Sequence, residues 1–455
     1  MNDLTTTGED ELALLRFADE RARAFVAGAE ARPAYPGAAL LAALERFDEP
    51  LPDRGRPASE TLALMDEAGS PAAVASNGPN YFGFVIGATL PAAHAAERLA
   101  LAWDQCAATP AGGPSAHAIE TRAAAWLLEI LDLPRESAVG FGTSATACGL
   151  TCIAAARNAL LAREGWDVEE DGLRGAPPVR VVVSDRTHVT IRKILRVLGF
   201  GRREIVEAPT DAFARVDPAR LPSLDGRTIL CLQAGEVNTG EFDPFAAIVP
   251  RAREAGAWTH VDGAFGLWAR AASASRELTD GVEGADSWTT DGHKWLQTPY
   301  DGAFAICREP AHLARVMRAN ADYAAGAADA QMNVTLEFSR RARGIAAWAA
   351  LRTLGRDGVD EMVTRHRRLA RRIADGLRAH GYEVLNRVVL NQVLARCATD
   401  GETEALVAAA QASGEAWFGA SVWEGRPAFR ISVSSWRTQD THADRLVALL
   451  GRLRP

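Results

Sequence analysis

The chain has 455 residues and a formal net charge of −8, and 48% of its residues are hydrophobic and 24% charged. These values are typical of a globular protein with more than one core, and they argue against disordered and fibrous classes. The acidic balance excludes a basic footprint for nucleic acid or an anionic membrane. Acidic residues near the N-terminus and the lack of a run of about 18 apolar residues predict neither a signal peptide nor a membrane span. We therefore expect a cytoplasmic protein.

Residues 1–75 are predicted to form a helical segment. Two stretches, 11–28 and 36–47, carry apolar residues at helical spacing and are separated by proline-containing turns. Such a segment packs either across a subunit interface or on its own domain, and the sequence leaves both arrangements open.

Residues 76–310 alternate short β-branched runs with helical patterns, which predicts a large α/β domain. The alternation favours a mainly parallel sheet covered by helices on both faces. Ligands of such sheets bind at the carboxyl ends of the strands. The predicted strands lie in SAVGFG, VRVVVS, GRTILCLQ, AWTHVDGAF and DSWTTDGH, and the predicted helices begin at Ala145, at Thr187 and near Phe245.

Residues 311–455 are predicted to form a smaller α+β domain. Its clearest helical stretches are SRRARGIAAWAALRTLG and VTRHRRLARRIADGLRAHG, and its strand candidates are YEVLNRVVLNQVLARC and AFRISVSSW.

Six cysteines are spread thinly along the chain, a usage that indicates buried thiols in a reducing compartment. Cys148 and Cys152 lie four residues apart on a predicted helix, but no nearby histidine or cysteine completes a zinc site. We therefore expect no metal.

The turn after the first predicted strand is rich in small and hydroxyl residues. It contains Ser144 and Thr146 and leads into a helix. The N–H groups of a helix start, together with hydroxyls and the helix dipole, suit a phosphate dianion. A capped helix without a ligand would have the same sequence.

Two further polar residues follow predicted strands. His188 could stack on a ligand ring and exchange a proton, or serve as a helix cap or a core histidine. Asp262 could hold a pyridine nitrogen protonated, and the small Gly263 and Ala264 beside it would let a ring lie flat. Asp262 could also be a strand-terminal cap or a metal ligand.

Lysine is rare in this chain, since only Lys193 and Lys294 occur among 50 basic residues. Arginine stays protonated and forms no imine, whereas a desolvated lysine amine is a nucleophile. Lys294 follows His293 at the end of a predicted strand, where an imine-forming amine would meet a ligand. Lys193 lies in a helical run and is expected to be a surface cation.

The order of these features resembles that of a known family. The motifs SDRTH, HVDGAFG and DGHKWL, at these spacings, are similar to those of the group II pyridoxal-phosphate decarboxylases, relatives of the aromatic amino acid, tyrosine and glutamate decarboxylases. The resemblance covers about residues 76–445. It implies the aspartate-aminotransferase fold (fold type I), pyridoxal 5'-phosphate as the cofactor, an amino acid substrate, and a homodimer with a shared active site.

The resemblance also implies roles for individual residues, each at a matching motif. Catalysis is assigned to three side chains: Lys294, which forms the Schiff base, Asp262, which pairs with the ring nitrogen, and His188, which stacks on the ring. The phosphate is assigned to Ser144, Ala145, Thr146 and His293, the ring's phenolic oxygen to Asn238 or its neighbours, the flat face of the ring to Ala264, and the substrate carboxylate to Arg430.

The N-terminal part of the large domain contains aromatic residues that are candidates for substrate contacts. Of Tyr81, Phe82, Phe84 and Trp103, we take Phe82 and Trp103 as the predicted substrate residues. The alternative is that these aromatic side chains are part of the core.

The leading prediction is decarboxylation of an L-amino acid, with an aromatic one as the candidate. Decarboxylases of the family carry a loop tyrosine that returns a proton to the substrate carbon. Here the corresponding stretch, RANADYAAGAADAQMNVTLEF, has only Tyr323, early in the segment. A lyase, aldolase, aminotransferase or aldehyde synthase therefore stays open, as does a non-catalytic protein that binds the same cofactor.

Overall fold

The computed structural model describes residues 10–319 and 329–454. The α-helices in these ranges are α1 Glu11–Ala27, α2 Ala38–Ala42, α3 Ala58–Leu64, α4 Ser70–Ala72, α5 Pro91–Trp103, α6 Pro114–Ile130, α7 Ala145–Arg163, α8 Val168–Asp171, α9 Val189–Val197, α10 Phe245–Glu254, α11 Pro310–Met317, α12 Gly344–Ala379, α13 Asp400–Ser413 and α14 Asp440–Leu453. The strands are β1 Ala138–Gly142, β2 Arg180–Ser184, β3 Ile205–Ala208, β4 Thr228–Gln233, β5 Trp258–Asp262, β6 Ser287–Asp291, β7 Ala303–Cys307, β8 Glu383–Val384, β9 Gln392–Arg396, β10 Gly419–Trp423 and β11 Arg426–Ser432.

Seven strands form a large sheet in the order β1-β7-β6-β5-β4-β2-β3. Strands β2 to β6 pair in parallel, and β7 pairs antiparallel with both β1 and β6. Every residue of β4 to β7 is buried, as expected for strands covered on both faces. The predicted mainly parallel sheet is confirmed, although the sequence reading did not identify β3 and β7 as strands.

Helix α7 begins at Ala145, as predicted, with the Ser144 hydroxyl accepting the N–H of Ala147 at 3.2 Å. By length and composition alone α7 could cross a membrane, although threonine, asparagine and arginine interrupt it and it holds no run of about 18 apolar residues. In this structure α7 packs against β5, β6 and β7, and 61% of its most apolar window is buried in the protein. A core helix of this kind is apolar on all sides.

The smaller sheet is antiparallel, in the order β10-β11-β9-β8. Its core is filled from α12, α13 and α14 by residues such as Ile373, Leu406 and Leu450. Helix α12 has a break at Gly355, whose φ of +62° favours glycine. The part of α12 up to Val363 packs on the core of the large domain, and the part from Leu369 onwards packs on the small sheet.

The N-terminal segment contacts the small domain of its own chain. The N–H of Ala34 donates to the carbonyl oxygen of Gly414 at 2.8 Å, and the α2 helix continues as a 3₁₀ turn over Ala43–Phe47. Helix α1 buries no residue, and its Leu12 and Leu15 are exposed. Packing on its own chain thus covers part of the segment and leaves Leu12 and Leu15 of α1 exposed.

A buried ion pair joins the long helices to the large sheet. The guanidinium of Arg340 and the carboxylate of Glu120 form two hydrogen bonds, of 2.7 and 2.8 Å, and both side chains are at most 1% exposed. Arg340 also donates to the carbonyl oxygens of Ala107 and Phe141, and Glu120 accepts the N–H of Gly344 at the start of α12. The pair therefore fixes α6, β1 and α12 to one another.

Candidate active site

A cavity of about 310 Å³ lies at the carboxyl ends of the parallel strands. Loops after β1, β2, β4, β5 and β6 all contribute to it, which is the usual place for a ligand in a sheet of this kind. Its lining consists of Phe84, Val85, Ser144, Ala145, Thr146, His188, Thr190, Gln233, Gly235, Val237, Asp262, Ala264, Phe265, Asp291, His293, Lys294 and Arg430.

Lys294 lies in this cavity, three residues after β6 ends. Its Nζ is 3.3 Å from Oδ2 of Asp291 and 5.9 Å from the centre of the Phe265 ring. The amine therefore has one carboxylate and one aromatic face beside it and remains partly exposed to the cavity. This is the placement that an imine-forming lysine requires.

Asp262, the last residue of β5, presents a buried carboxyl to the cavity. Its Oδ1 accepts the N–H of Ala264 at 3.1 Å. Burial raises the pKa of Asp262, and the nearby charges of His188 and Lys294 oppose that shift. A carboxyl in such surroundings favours a cationic donor as its partner.

His188 caps helix α9 and also lines the cavity. Its Nδ1 lies 2.7 Å from the hydroxyl of Thr190, and its backbone N–H donates to Oε1 of Gln233 at 3.2 Å. Burial lowers the pKa of His188, and the Asp262 carboxylate opposes the shift. Helix α9 therefore begins two residues after the predicted start at Thr187. Because His188 both caps this helix and lines the cavity, the capping and ligand-facing interpretations of this histidine are compatible.

The start of α7 forms another wall of the cavity. Ser144, Ala145 and Thr146 line it, and the N–H of Ala145 donates to Oδ1 of Asp291 at 2.7 Å. The first turn of a helix has N–H groups without partners inside the helix, so this wall offers donors to an anion.

Arg430 reaches the cavity from β11 of the small sheet. One of its guanidinium nitrogens donates to the carbonyl oxygen of Val237 at 2.7 Å. Burial lowers the pKa of Arg430, and the Glu236 carboxylate opposes the shift. The cavity is thus shared between the two domains.

Two predicted contacts are not brought to the cavity. Phe82 is 1% exposed and packs in the core of the small domain, because its backbone pairs with Trp417 and Ser432 there. Its prediction as a substrate residue was therefore wrong for this chain. Trp103 ends α5, is 44% exposed, and is absent from the cavity lining of its own chain.

Asn238 is also absent from the cavity lining. Its Oδ1 accepts the hydroxyl of Ser421 at 2.7 Å, and its amide lies 3.3 Å from Glu236. Its neighbours Gly235 and Val237 line the cavity in its place.

Several lining residues were missed by the sequence reading. Asp291 is the most important, because it contacts both Lys294 and the start of α7, and its position at the end of a predicted strand was the available signal. Phe265, which lines the cavity, was also missed, as was Tyr300, which lies behind the lining residue His293. The Tyr300 ring stacks on His293 with 4.2 Å between ring centres.

The loop after Lys294 is fastened to the small domain. The amide nitrogen of Gln297 donates to the carbonyl oxygens of Lys294 and Ser434, and its Oε1 accepts the N–H of Trp436. Nearby, the indole N–H of Trp295 donates to Nδ1 of the buried His366 at 2.7 Å. The lysine loop therefore depends on residues far along the chain.

In the part of the chain that the structure describes, no three or more histidine, cysteine, aspartate or glutamate side chains are grouped so as to hold a metal ion. The polar groups of the cavity are instead the amine of Lys294, the buried carboxyls of Asp262 and Asp291, two imidazoles, the guanidinium of Arg430 and a helix start. This donor set suits an organic anion with a ring nitrogen and an aldehyde.

Comparisons with known proteins support the same kind of ligand. Residues 44–396, more than half of the chain, match the family model described as the pyridoxal-dependent decarboxylase conserved domain. The chain is 31% identical over 305 residues to tryptophan decarboxylase 1 of Oryza sativa subsp. japonica, which covers 61% of this chain and 58% of the relative. It is 26% identical over 327 residues to an aromatic-L-amino-acid decarboxylase of Bacillus atrophaeus, with coverages of 68% and 65%. The matches thus span less than two thirds of either relative.

Among solved structures, an Oryza sativa TDC with PLP and tryptamine is similar in fold. The TM-score is 0.90 at 24% sequence identity, and the match covers 99% of this chain and 98% of the other. The predicted fold type I is thereby confirmed. From its family-model match, the chain belongs to the pyridoxal-dependent decarboxylase family.

Proposed function

We propose that this protein decarboxylates an L-amino acid, with an aromatic amino acid as its substrate. The observation that carries the proposal is the convergence of Lys294, Asp262 and the start of α7 on one cavity in a chain of this family. The two decarboxylases reported above, one named for tryptophan and one for aromatic L-amino acids, support the substrate class.

The cofactor is pyridoxal 5'-phosphate, and the cavity residues fit it. Asp262 is a buried carboxyl that faces the cavity, so it can accept a hydrogen bond from a protonated ring nitrogen. The start of α7 offers N–H groups to the phosphate, and Lys294 offers the amine for a Schiff base. When bound, the cofactor supplies an electron sink for the bond that breaks at the substrate carbon.

The protein's own residues bind, orient and exchange protons around that centre. Asp262 would keep the ring nitrogen protonated, and His188, which lines the same cavity, would stack on the ring and hold a proton at Nε2. Arg430 is the cavity cation that reaches from the small domain, which supports it as the residue that would bind the substrate carboxylate. Lys294 would hold the cofactor through its amine, and as a free amine it could move protons.

Phe84 is the residue that favours an aromatic substrate. It lines the cavity, its side chain is 56% exposed, and its ring centre is 5.2 Å from that of Trp417. We expect Phe84→Ala to lower kcat/KM for an aromatic L-amino acid by roughly ten- to a hundredfold, because the substrate ring loses an apolar contact surface. Steady-state amine formation measures this effect.

Phe47→Ala is the matched control for Phe84→Ala, since Phe47 is an exposed phenylalanine of the N-terminal segment outside the cavity lining. Its kcat/KM should equal that of the unaltered protein. An unchanged preference for aromatic over aliphatic substrates in Phe84→Ala would remove Phe84 as the basis of the substrate class.

The choice between simple and oxidative decarboxylation depends on the proton donor. Tyr323, the tyrosine noted in the sequence, lies outside the described residues, and the described stretch from Asp329 to Arg343 contains no tyrosine. The proposed reaction gives carbon dioxide and an amine, whereas an aldehyde synthase consumes oxygen and water and gives carbon dioxide, an aldehyde, ammonia and hydrogen peroxide. Assaying carbon dioxide, amine, aldehyde, hydrogen peroxide and keto acid with L-tryptophan, L-tyrosine and L-phenylalanine therefore decides the reaction type.

Amine and carbon dioxide in equal amounts would support the proposal. Carbon dioxide with aldehyde and peroxide would replace it by the synthase alternative. A keto acid without carbon dioxide would indicate an aminotransferase, and a bound cofactor with no product from any amino acid would contradict an enzymatic role.

We also propose that the protein is a cytoplasmic homodimer. The exposed Leu12 and Leu15 of α1 support an interface with a second copy, and the six cysteines, all free thiols, support a reducing compartment. Light scattering of the purified protein should give twice the chain mass of 48.6 kDa.

A further inference from the structure

Asp291 contacts both the amine and the helix start that the cofactor is expected to use. Its Oδ1 accepts the N–H of Ala145 at 2.7 Å and lies 3.6 Å from Nε2 of His293. Its Oδ2 lies 3.3 Å from Nζ of Lys294. The side chain is 5% exposed, so this negative charge is held within the protein at the first residue of α7.

The cavity has few cations to balance an additional anion at that position. Among the described residues, the lysine and arginine side chains that line it are Lys294 and Arg430. Arg430 lies on the small sheet and donates to the carbonyl oxygen of Val237. Burial lowers the pKa of His293, a shift that Asp291 opposes, so this imidazole favours its neutral form. The phosphate of the cofactor brings between one and two negative charges to the start of α7, which Asp291 already contacts.

We propose that Asp291 weakens the binding of the cofactor's phosphate, and so keeps the cofactor exchangeable. The carboxylate acts in two ways, because it uses the Ala145 N–H and because it repels the phosphate at close range. The inference rests on the cofactor of the proposed function. It does not depend on which reaction follows, since it concerns binding alone.

The test compares two aldehydes that differ only in the phosphate. Apoprotein of the unaltered chain and of Asp291→Asn is titrated with pyridoxal 5'-phosphate and with pyridoxal, and the visible absorption band reports binding. Removing one like charge should lower the dissociation constant of pyridoxal 5'-phosphate roughly tenfold. The affinity for pyridoxal should change much less, because pyridoxal carries no phosphate. Any altered reactivity of Lys294 affects both aldehydes equally and therefore leaves the ratio of their dissociation constants unchanged.

Asp286→Asn is the matched control. Asp286 precedes the same strand, β6, at its other end, where its carboxylate accepts the N–H of Thr259 at 2.8 Å. Its ratio of the two dissociation constants should equal that of the unaltered chain. Asp291→Ser, which also removes the charge, repeats the test if the asparagine variant does not fold.

An equal or weaker affinity of Asp291→Asn and Asp291→Ser for pyridoxal 5'-phosphate, relative to pyridoxal, would overturn the inference and make Asp291 a support for the phosphate site. Failure of the unaltered chain to bind either aldehyde would instead reject the cofactor itself. Absence of decarboxylation with the expected binding ratios would leave the inference standing and reject only the proposed reaction.

Discussion

Lys294→Ala is expected to lose the visible absorption band of the bound cofactor and to lower turnover by roughly a thousandfold or more. The reason is that Lys294 is the amine in the cavity, next to Asp291 and Phe265, and no other lysine lines it. Absorption spectra and amine formation from an aromatic L-amino acid measure the two effects.

The composition of the chain supplies an unusually clean control. Lys193, the other lysine, lies on α9 and lines a different cavity together with Arg192 and Arg196. Lys193→Ala should keep both the band and the turnover. Borohydride reduction of the loaded protein followed by peptide mass analysis should label Lys294 alone, and a label on Lys193, or a band that survives in Lys294→Ala, would contradict the assignment.

Glu120→Ala is expected to lower the free energy of unfolding by about 3–5 kcal/mol. The substitution leaves the guanidinium of Arg340 buried without its carboxylate and removes the acceptor of the Gly344 N–H. An uncompensated buried charge accounts for most of this effect. Urea unfolding at a fixed cofactor concentration measures it, since bound ligand shifts apparent stability.

Arg368→Ala serves as the control, because Arg368 and Asp440 form an ion pair whose side chains are about half exposed. Its removal should change the free energy of unfolding by no more than about 1 kcal/mol. Similar effects of the two substitutions would mean that the Glu120 pair contributes no more than an exposed one.

The sequence predicted the layers of the fold better than its details. The alternation of strands and helices indicated the parallel sheet, and the Ser144 turn placed the start of α7. Strands β3 and β7 were missed for different reasons. Strand β3 is four residues long with an exposed glutamate, and β7 follows the lysine loop and runs antiparallel, a direction that no periodicity of hydrophobic residues encodes.

For the candidate site, the sequence predicted the residues at strand ends, which the sheet then gathers at one edge. It did not predict which aromatic residue near the cavity would face it. Phe84 and Val85 have φ values of +54° and +57°, so the chain there is not extended. Alternation of sides fails at such a turn, and Phe84 therefore reaches the cavity while Phe82 enters the small-domain core.

The fastening of the lysine loop to the small domain limits how the chain can be divided. Gln297 and Trp295 hold that loop through Ser434, Trp436 and His366. A fragment ending near residue 310 would retain the lysine and Asp262 but would lack every one of these supports. The large domain is therefore no minimal cofactor-binding unit, and in truncation, fusion or directed evolution the two domains have to be kept together.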